Sequence, residues 1–146
     1  MPASYVAEDG TGISPVPRLP KVRITKSFTF EASHVLPHHH GKCRQLHGHS
    51  YRLDVTVAGA LQGGGSAAGM VLDFGDMSDI VAPHVIEQLD HHHLNDLIDN
   101  PTCEHILVWT WHALEGALPL LETLALWETP TSCAILQRGD PETIQP

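Results

Sequence analysis

Histidine is the residue type through which this chain most directly invites chemistry: twelve occur among its 146 residues, and several are clustered. His47 and His49 stand two apart in a segment of alternating apolar and polar residues. On an extended strand, side chains two apart leave from the same face, so both imidazoles can reach one ion. His34 closes an earlier segment of the same kind, in which Phe28, Phe30 and Ala32 are apolar or small and the residues between them polar. From a neighbouring strand it can supply a third nitrogen. Three neutral imidazoles with no fourth protein ligand suit an open, catalytic zinc site better than a closed structural one. The lack of a carboxylate among the three disfavours a non-haem iron triad. The competing reading is of surface or core histidines satisfied by hydrogen bonds. His38, His39 and His40, in a loop, and His92 and His93 carry no assigned role.

The elements that must position these groups follow from periodicity. In the second strand His47, His49, Tyr51, Leu53, Val55 and Val57 share one face, and Ser50, Arg52, Asp54 and Thr56 the other. Between the two strands, Leu36 to Gln45 holds Pro37, Gly41 and three consecutive histidines and reads as a loop. Residues 62–69 are a Gly-rich connector. Asp73, with Asp76 three positions on, marks a helix start, and Met77, Ile80, Val81, Val85 and Leu89 follow at helical spacing. Pro83 should kink or break that helix. A second helix is expected from an N-cap at Thr102, with Glu104 in its first turn and a stripe of Leu107, Trp111, Leu114 and Leu118, closed by Pro119. Thr123 to Glu128 and Ser132 to Gln137 read as a final strand pair around Thr129-Pro130-Thr131. The order β-β-α-α-β-β predicts an α+β domain, antiparallel strands in one layer with helices on one face. We expect a flexible arm over residues 1–20, one catalytic domain over 21–138 and a tail over 139–146.

Bulk properties exclude several function classes. A formal net charge of −9, with eight scattered Lys and Arg, argues against a nucleic-acid partner. No apolar run approaches the roughly 18 residues that cross a bilayer. The N-terminus shows acidic, Gly and Pro residues where a secretory signal would be basic and then hydrophobic, so a cytoplasmic protein is expected. Cys43, Cys103 and Cys133 form no CxxC pair and are expected to be free thiols.

Several segments taken together resemble one family. They are Phe30-Glu31-Ala32-Ser33-His34, Cys43-Arg44-Gln45-Leu46-His47-Gly48-His49, Val71-Leu72-Asp73-Phe74, Leu89-Asp90-His91-His92-His93-Leu94-Asn95-Asp96, Asn100-Pro101-Thr102-Cys103-Glu104 and Trp127-Glu128-Thr129. In this order they resemble the signature of the 6-pyruvoyl-tetrahydropterin synthase family, which includes the bacterial 6-carboxy-tetrahydropterin synthases. The resemblance implies the tunnelling fold, a four-stranded antiparallel sheet with two helices on one face. It also implies trimers that close a barrel, stacked in pairs into a homo-hexamer with sites between subunits. It places zinc on His34, His47 and His49, the catalytic cysteine at Cys43, the catalytic histidine at His91 beside Asp90, and the pterin-anchoring carboxylate at Glu128. Thr102 and Glu104 would complete the pterin pocket.

The implied substrate is 7,8-dihydroneopterin triphosphate. Zinc would act as a Lewis acid toward its side-chain hydroxyls, and Cys43, between Lys42 and Arg44, would be a thiolate base. Asp90 would hold the tautomer of His91 during proton relay. Glu128 would accept two hydrogen bonds from the pterin. Blander readings stand beside these: an inert cysteine, a helix C-cap at Asp90-His91, an edge-strand charge at Glu128, and a plain N-cap and first-turn acid at Thr102 and Glu104. The expected reaction is carbon–carbon cleavage to 6-carboxytetrahydropterin, acetaldehyde and triphosphate, on the route to 7-deazapurines such as queuosine. The alternatives are pyruvoyl formation by triphosphate elimination and a non-catalytic zinc-binding assembly protein. Lys42, Arg44 and Arg52 are the candidates for the triphosphate.

Overall fold

A computed structural model describes residues 20–141. The arm expected over 1–20 therefore lies, except for Pro20, outside the described residues, as do the last five residues of the expected tail. Two long strands, β1 (Val22–His34) and β2 (His47–Gly59), form an antiparallel pair. They are followed by α1 (Phe74–Val81), a π turn (Ala82–Ile86) and α2 (Glu87–Leu89), then β3 (His92–His93), α3 (Cys103–Leu114), β4 (Leu121–Thr129) and β5 (Ser132–Gln137). The sheet order is β3-β1-β2-β4-β5. The α+β class and the antiparallel four-strand body are as expected. The addition is β3, two histidines that pair parallel to β1 through Ala32↔His92 and Ser33↔His93. Two residues with no apolar alternation carry no strand signal; the ladder exists because the chain leaving α2 runs back along the end of β1.

One face of the sheet packs on the helices. Phe30 and Ala32 of β1, Tyr51, Leu53, Val55 and Val57 of β2, and Leu124 and Leu126 of β4 are buried there. Against them lie Met77, Val81, Val85 and Leu89 from the first helical segment and Ile106, Leu107 and Leu114 from α3. Each fully buried large side chain contributes roughly 1.5–3 kcal/mol.

Pro83 neither ends the first helix nor displaces its apolar stripe. Because proline lacks an N–H, the chain widens into a π turn, and Glu87 N–H reaches back five residues to Ala82 O. Met77, Val81, Val85 and Leu89 thereby all stay on the buried side. Asp73 caps α1, its carboxylate accepting from Gly75 N and Asp76 N. Thr102 caps α3, accepting from His105 N. That helix stops at Leu114, before Pro119, in a turn containing Gly116, and Trp111 is only half-buried at its edge. No described helix is long and apolar enough to cross a membrane.

Candidate active site

The alternation that builds the core continues to the ends of β1 and β2, where hydrocarbon gives way to imidazole. His34 is directly opposite His47, and His49 is opposite Ala32. Gly48 lies between the two histidines, and a Cβ there would come within 3.1 Å of the Ala32 carbonyl oxygen. Glycine thus lets the strands stay paired where the ligands converge. Beneath the cluster, Phe30 and Tyr51 stack at 4.8 Å between ring centroids.

The imidazole tautomers follow from their partners. His34 Nδ1 lies 2.8 Å from the Pro101 carbonyl oxygen and His47 Nδ1 2.7 Å from that of Gln45. A carbonyl only accepts, so each Nδ1 carries the hydrogen and each Nε2 presents a lone pair. Those two Nε2 atoms stand 2.9 Å apart. Two facing lone pairs at that separation repel unless a cation, a proton or a metal ion, lies between them. Burial pushes the pKa of His34 down, as it does for His49, which disfavours the proton. The buried Nε2 of His49 has no hydrogen-bond partner among the described residues, although Glu128 Oε1 approaches to 3.0 Å outside hydrogen-bond geometry. Lone pairs aimed at one point and a buried orphan nitrogen fit a metal ion.

Glu128 corrects one expectation. The sequence suggested three imidazoles without a carboxylate, whereas Glu128 joins them: its oxygen also lies 4.0 Å from His34 Nε2, and all four donor atoms fall within 4.8 Å of one another. In β4 it continues the inward row of Leu124 and Leu126. With a carboxylate in the donor set, the ligand types no longer disfavour iron. Tyr51, 3.4 Å from His34 Nδ1, stays an uncharged phenol, because burial and then the Glu128 charge drive its pKa upward.

Two clefts adjoin the cluster. One, of about 340 Å³, is lined by Thr102, Glu104 and Glu128 together with Leu36, Cys103 and Thr129. The three residues expected to bind substrate thus share one wall. Burial, with Glu128 next, pushes the Cys103 thiol up to about 11, so it is protonated at neutral pH. The other cleft, of about 460 Å³, is lined by His49, His91 and Glu31 among others. His91 adopts a left-handed backbone (φ 58°), and its Nδ1 lies 3.0 Å from Asp90 Oδ2. The hydrogen bond from Glu31 N–H, and then that from His91, hold the Asp90 carboxyl below its usual range.

Cys43 is not brought in with these groups. It sits half-buried on a 3-10 turn, Lys42–Arg44, and lines neither cleft. Lys42 and Arg44 are exposed on the same turn. Arg52 is committed elsewhere, paired with Asp54 and stacked 4.6 Å over Trp127. Sequence reasoning missed the Pro101 carbonyl, which orients His34. A backbone acceptor leaves no side-chain signal, so only the fold could reveal it.

Comparisons with known proteins show what the chain as a whole is similar to. The chain is 48% identical over 115 residues to the 6-carboxy-5,6,7,8-tetrahydropterin synthase of Synechocystis sp., covering 76% of this chain and 89% of that one. It is 32% identical over 133 residues to the enzyme of the same name from Haemophilus influenzae, covering 75% and 94%. In fold it resembles the Caenorhabditis elegans 6-pyruvoyl tetrahydropterin synthase, with a TM-score of 0.73 at 21% identity over 84% of this chain and 99% of that one. With the family model for 6-pyruvoyl tetrahydropterin synthase matching residues 23–139, the chain belongs to the 6-pyruvoyl tetrahydropterin synthase family.

Proposed function

We propose that this protein is a zinc-dependent 6-carboxy-5,6,7,8-tetrahydropterin synthase. It would convert 7,8-dihydroneopterin triphosphate to 6-carboxytetrahydropterin, releasing acetaldehyde and triphosphate, in the cytoplasm and on a route to 7-deazapurines of the queuosine type. The observation that carries this reading is the convergence of His34, His47 and His49 beside Glu128, which also lines a cleft with Thr102 and Glu104.

His34, His47 and His49 would hold the zinc ion, and Glu128 is close enough to be either a fourth ligand or the substrate's anchor. Bound there, zinc supplies a Lewis acid that makes hydroxyl groups on the substrate side chain more acidic. Glu128 accepts hydrogen bonds from the amino and ring N–H groups of the pterin, which fixes the ring against the wall formed by Thr102 and Glu104. Asp90 holds the Nδ1–H of His91 and leaves Nε2 free to take or give a proton. Cys43 acts as the partner base. The exposure of His91 and the position of Cys43 outside both clefts are accounted for by a homo-hexamer whose sites are completed between subunits.

Incubating the zinc-loaded protein with 7,8-dihydroneopterin triphosphate, with products identified by mass spectrometry, tests the reading. We expect 6-carboxytetrahydropterin with acetaldehyde, and a fall in kcat of about 100-fold or more in Cys43→Ala, the usual scale for loss of a general base. A 6-pyruvoyl product would assign the sister elimination instead. No pterin turnover by the native protein would sink the enzyme reading.

A further inference from the structure

The segment from Asp90 to Asn95 runs along the end of β1 as a splint. At its start, Glu31 N–H donates to Asp90 Oδ1 at 2.9 Å, and His91 N–H donates to Glu31 O. In its middle is the two-residue ladder of β3, supported by Ser33 Oγ at 3.1 Å from His93 Nδ1. At its end, Val35 N–H donates to Asn95 Oδ1 at 2.8 Å while Asn95 Nδ2 donates to Val35 O at 2.9 Å. The His34–His47 pair is the last between β1 and β2, so Val35 lies just beyond that ladder. Its two backbone groups are satisfied by a single side-chain amide, which offers a donor and an acceptor together.

We propose that Asn95 is a positioning residue for the metal site: by clamping Val35 it fixes the end of β1, and with it His34, in register with His91. A two-residue ladder is too short to hold that register alone. His34 is fully buried and its ring has one strong fixed contact, the Pro101 carbonyl. A shift of the backbone at Val35 would therefore move its Nε2 out of line with those of His47 and His49. Among the described residues Asn95 makes its side-chain hydrogen bonds to the Val35 backbone and none to the four metal-site side chains, so its effect is transmitted through the chain. This inference rests on the reading of the site as a zinc centre.

The test uses the full chain with Asn95→Ala, which removes both bonds, and Asn95→Asp, which keeps only the acceptor. Zinc affinity by chelator competition should fall about 10- to 100-fold in Asn95→Ala, the scale typical of supporting contacts around a metal, and less in Asn95→Asp. The absorption spectrum of the cobalt-loaded protein should change, kcat should fall with KM for the pterin within about twofold, and residues 31–36 should exchange amide hydrogens faster. If Asn95→Ala does not fold, Asn95→Asp carries the same measurements. Zinc affinity within twofold of native and an unaltered cobalt spectrum would overturn the proposal, whatever the change in melting temperature. A native protein that binds no zinc would sink the metal reading; hydrogen exchange would then decide the clamp alone, with faster exchange in the variant supporting it and unchanged exchange refuting it.

Discussion

Two polar clusters are built on the same pair of strands, on opposite faces, and they treat their hydrogen-bonding groups in opposite ways. On the open face Asp54 accepts from Ser27 Oγ at 2.6 Å, from Trp127 Nε1 at 3.0 Å and from Arg52 Nη2 at 3.2 Å. Arg52 in turn covers the Trp127 ring. Every strong group there has a partner within the chain. On the helix-covered face, at the end of the same two strands, His34 and His47 aim lone pairs at each other and His49 has a buried nitrogen with no hydrogen bond among the described residues. An unpaired buried polar atom costs about 1–3 kcal/mol, so the second cluster is incomplete as a structure and makes sense as a place for something else to bind. The satisfied cluster is architecture.

The strongest way to break this contrast is at the incomplete cluster. His47→Ala should abolish stoichiometric zinc binding and lower kcat/KM by about 1000-fold or more, whereas Glu128→Gln, if Glu128 anchors the pterin, should keep the zinc and lose about 100-fold in kcat/KM, the worth of one or two charge-assisted hydrogen bonds. Metal analysis beside steady-state kinetics reads both. Zinc retained by His47→Ala would contradict the assignment. On the open face, Asp54→Asn should cost about 1 kcal/mol in denaturant unfolding and leave zinc content and turnover unchanged; a loss of turnover would mean that this face also serves the site.

The smallest effect is expected at the far end of the open face, where Glu122 pairs with Arg23 at 2.6 Å and Lys21 at 3.2 Å. Burial alone would raise the Glu122 pKa, but the hydrogen bond from Arg23 and the ion pair with Lys21 outweigh it and hold the carboxyl below its usual value. A depressed carboxylate stabilises the fold in full above its ordinary pKa and loses that contribution as pH falls through the lowered one. Melting temperatures of the native protein and Glu122→Gln should therefore differ near pH 7 and converge in acid. Parallel curves from pH 7 to pH 3 would show that the pair contributes nothing measurable.

Much of the site was legible because it is written in local spacing. The His-Gly-His pattern ahead of Tyr51 and Leu53 put two imidazoles on the buried face, and the Phe28–His34 alternation added the third. Thr102 and Asp73 were readable as caps because a cap is an interaction over two or three residues. The fate of Pro83 was not readable, since a kink, a break and a π turn all answer the same missing N–H and only packing of Val81 and Val85 chooses between them. Nor was β3, because a ladder of two histidines has no pattern of its own.

The sequence by itself determined which side chains face inward at the end of the first two strands, since alternation is a property of each strand alone. Only the tertiary structure decided that Glu128 joins them, that the Pro101 carbonyl 67 residues away orients His34, and that Cys43 stands outside both clefts. Those outcomes depend on the register of β2 against β4, on the irregularity between Trp127 and Thr129 and on how the chain returns from α2. They are set by the packing of distant segments, which no local spacing encodes.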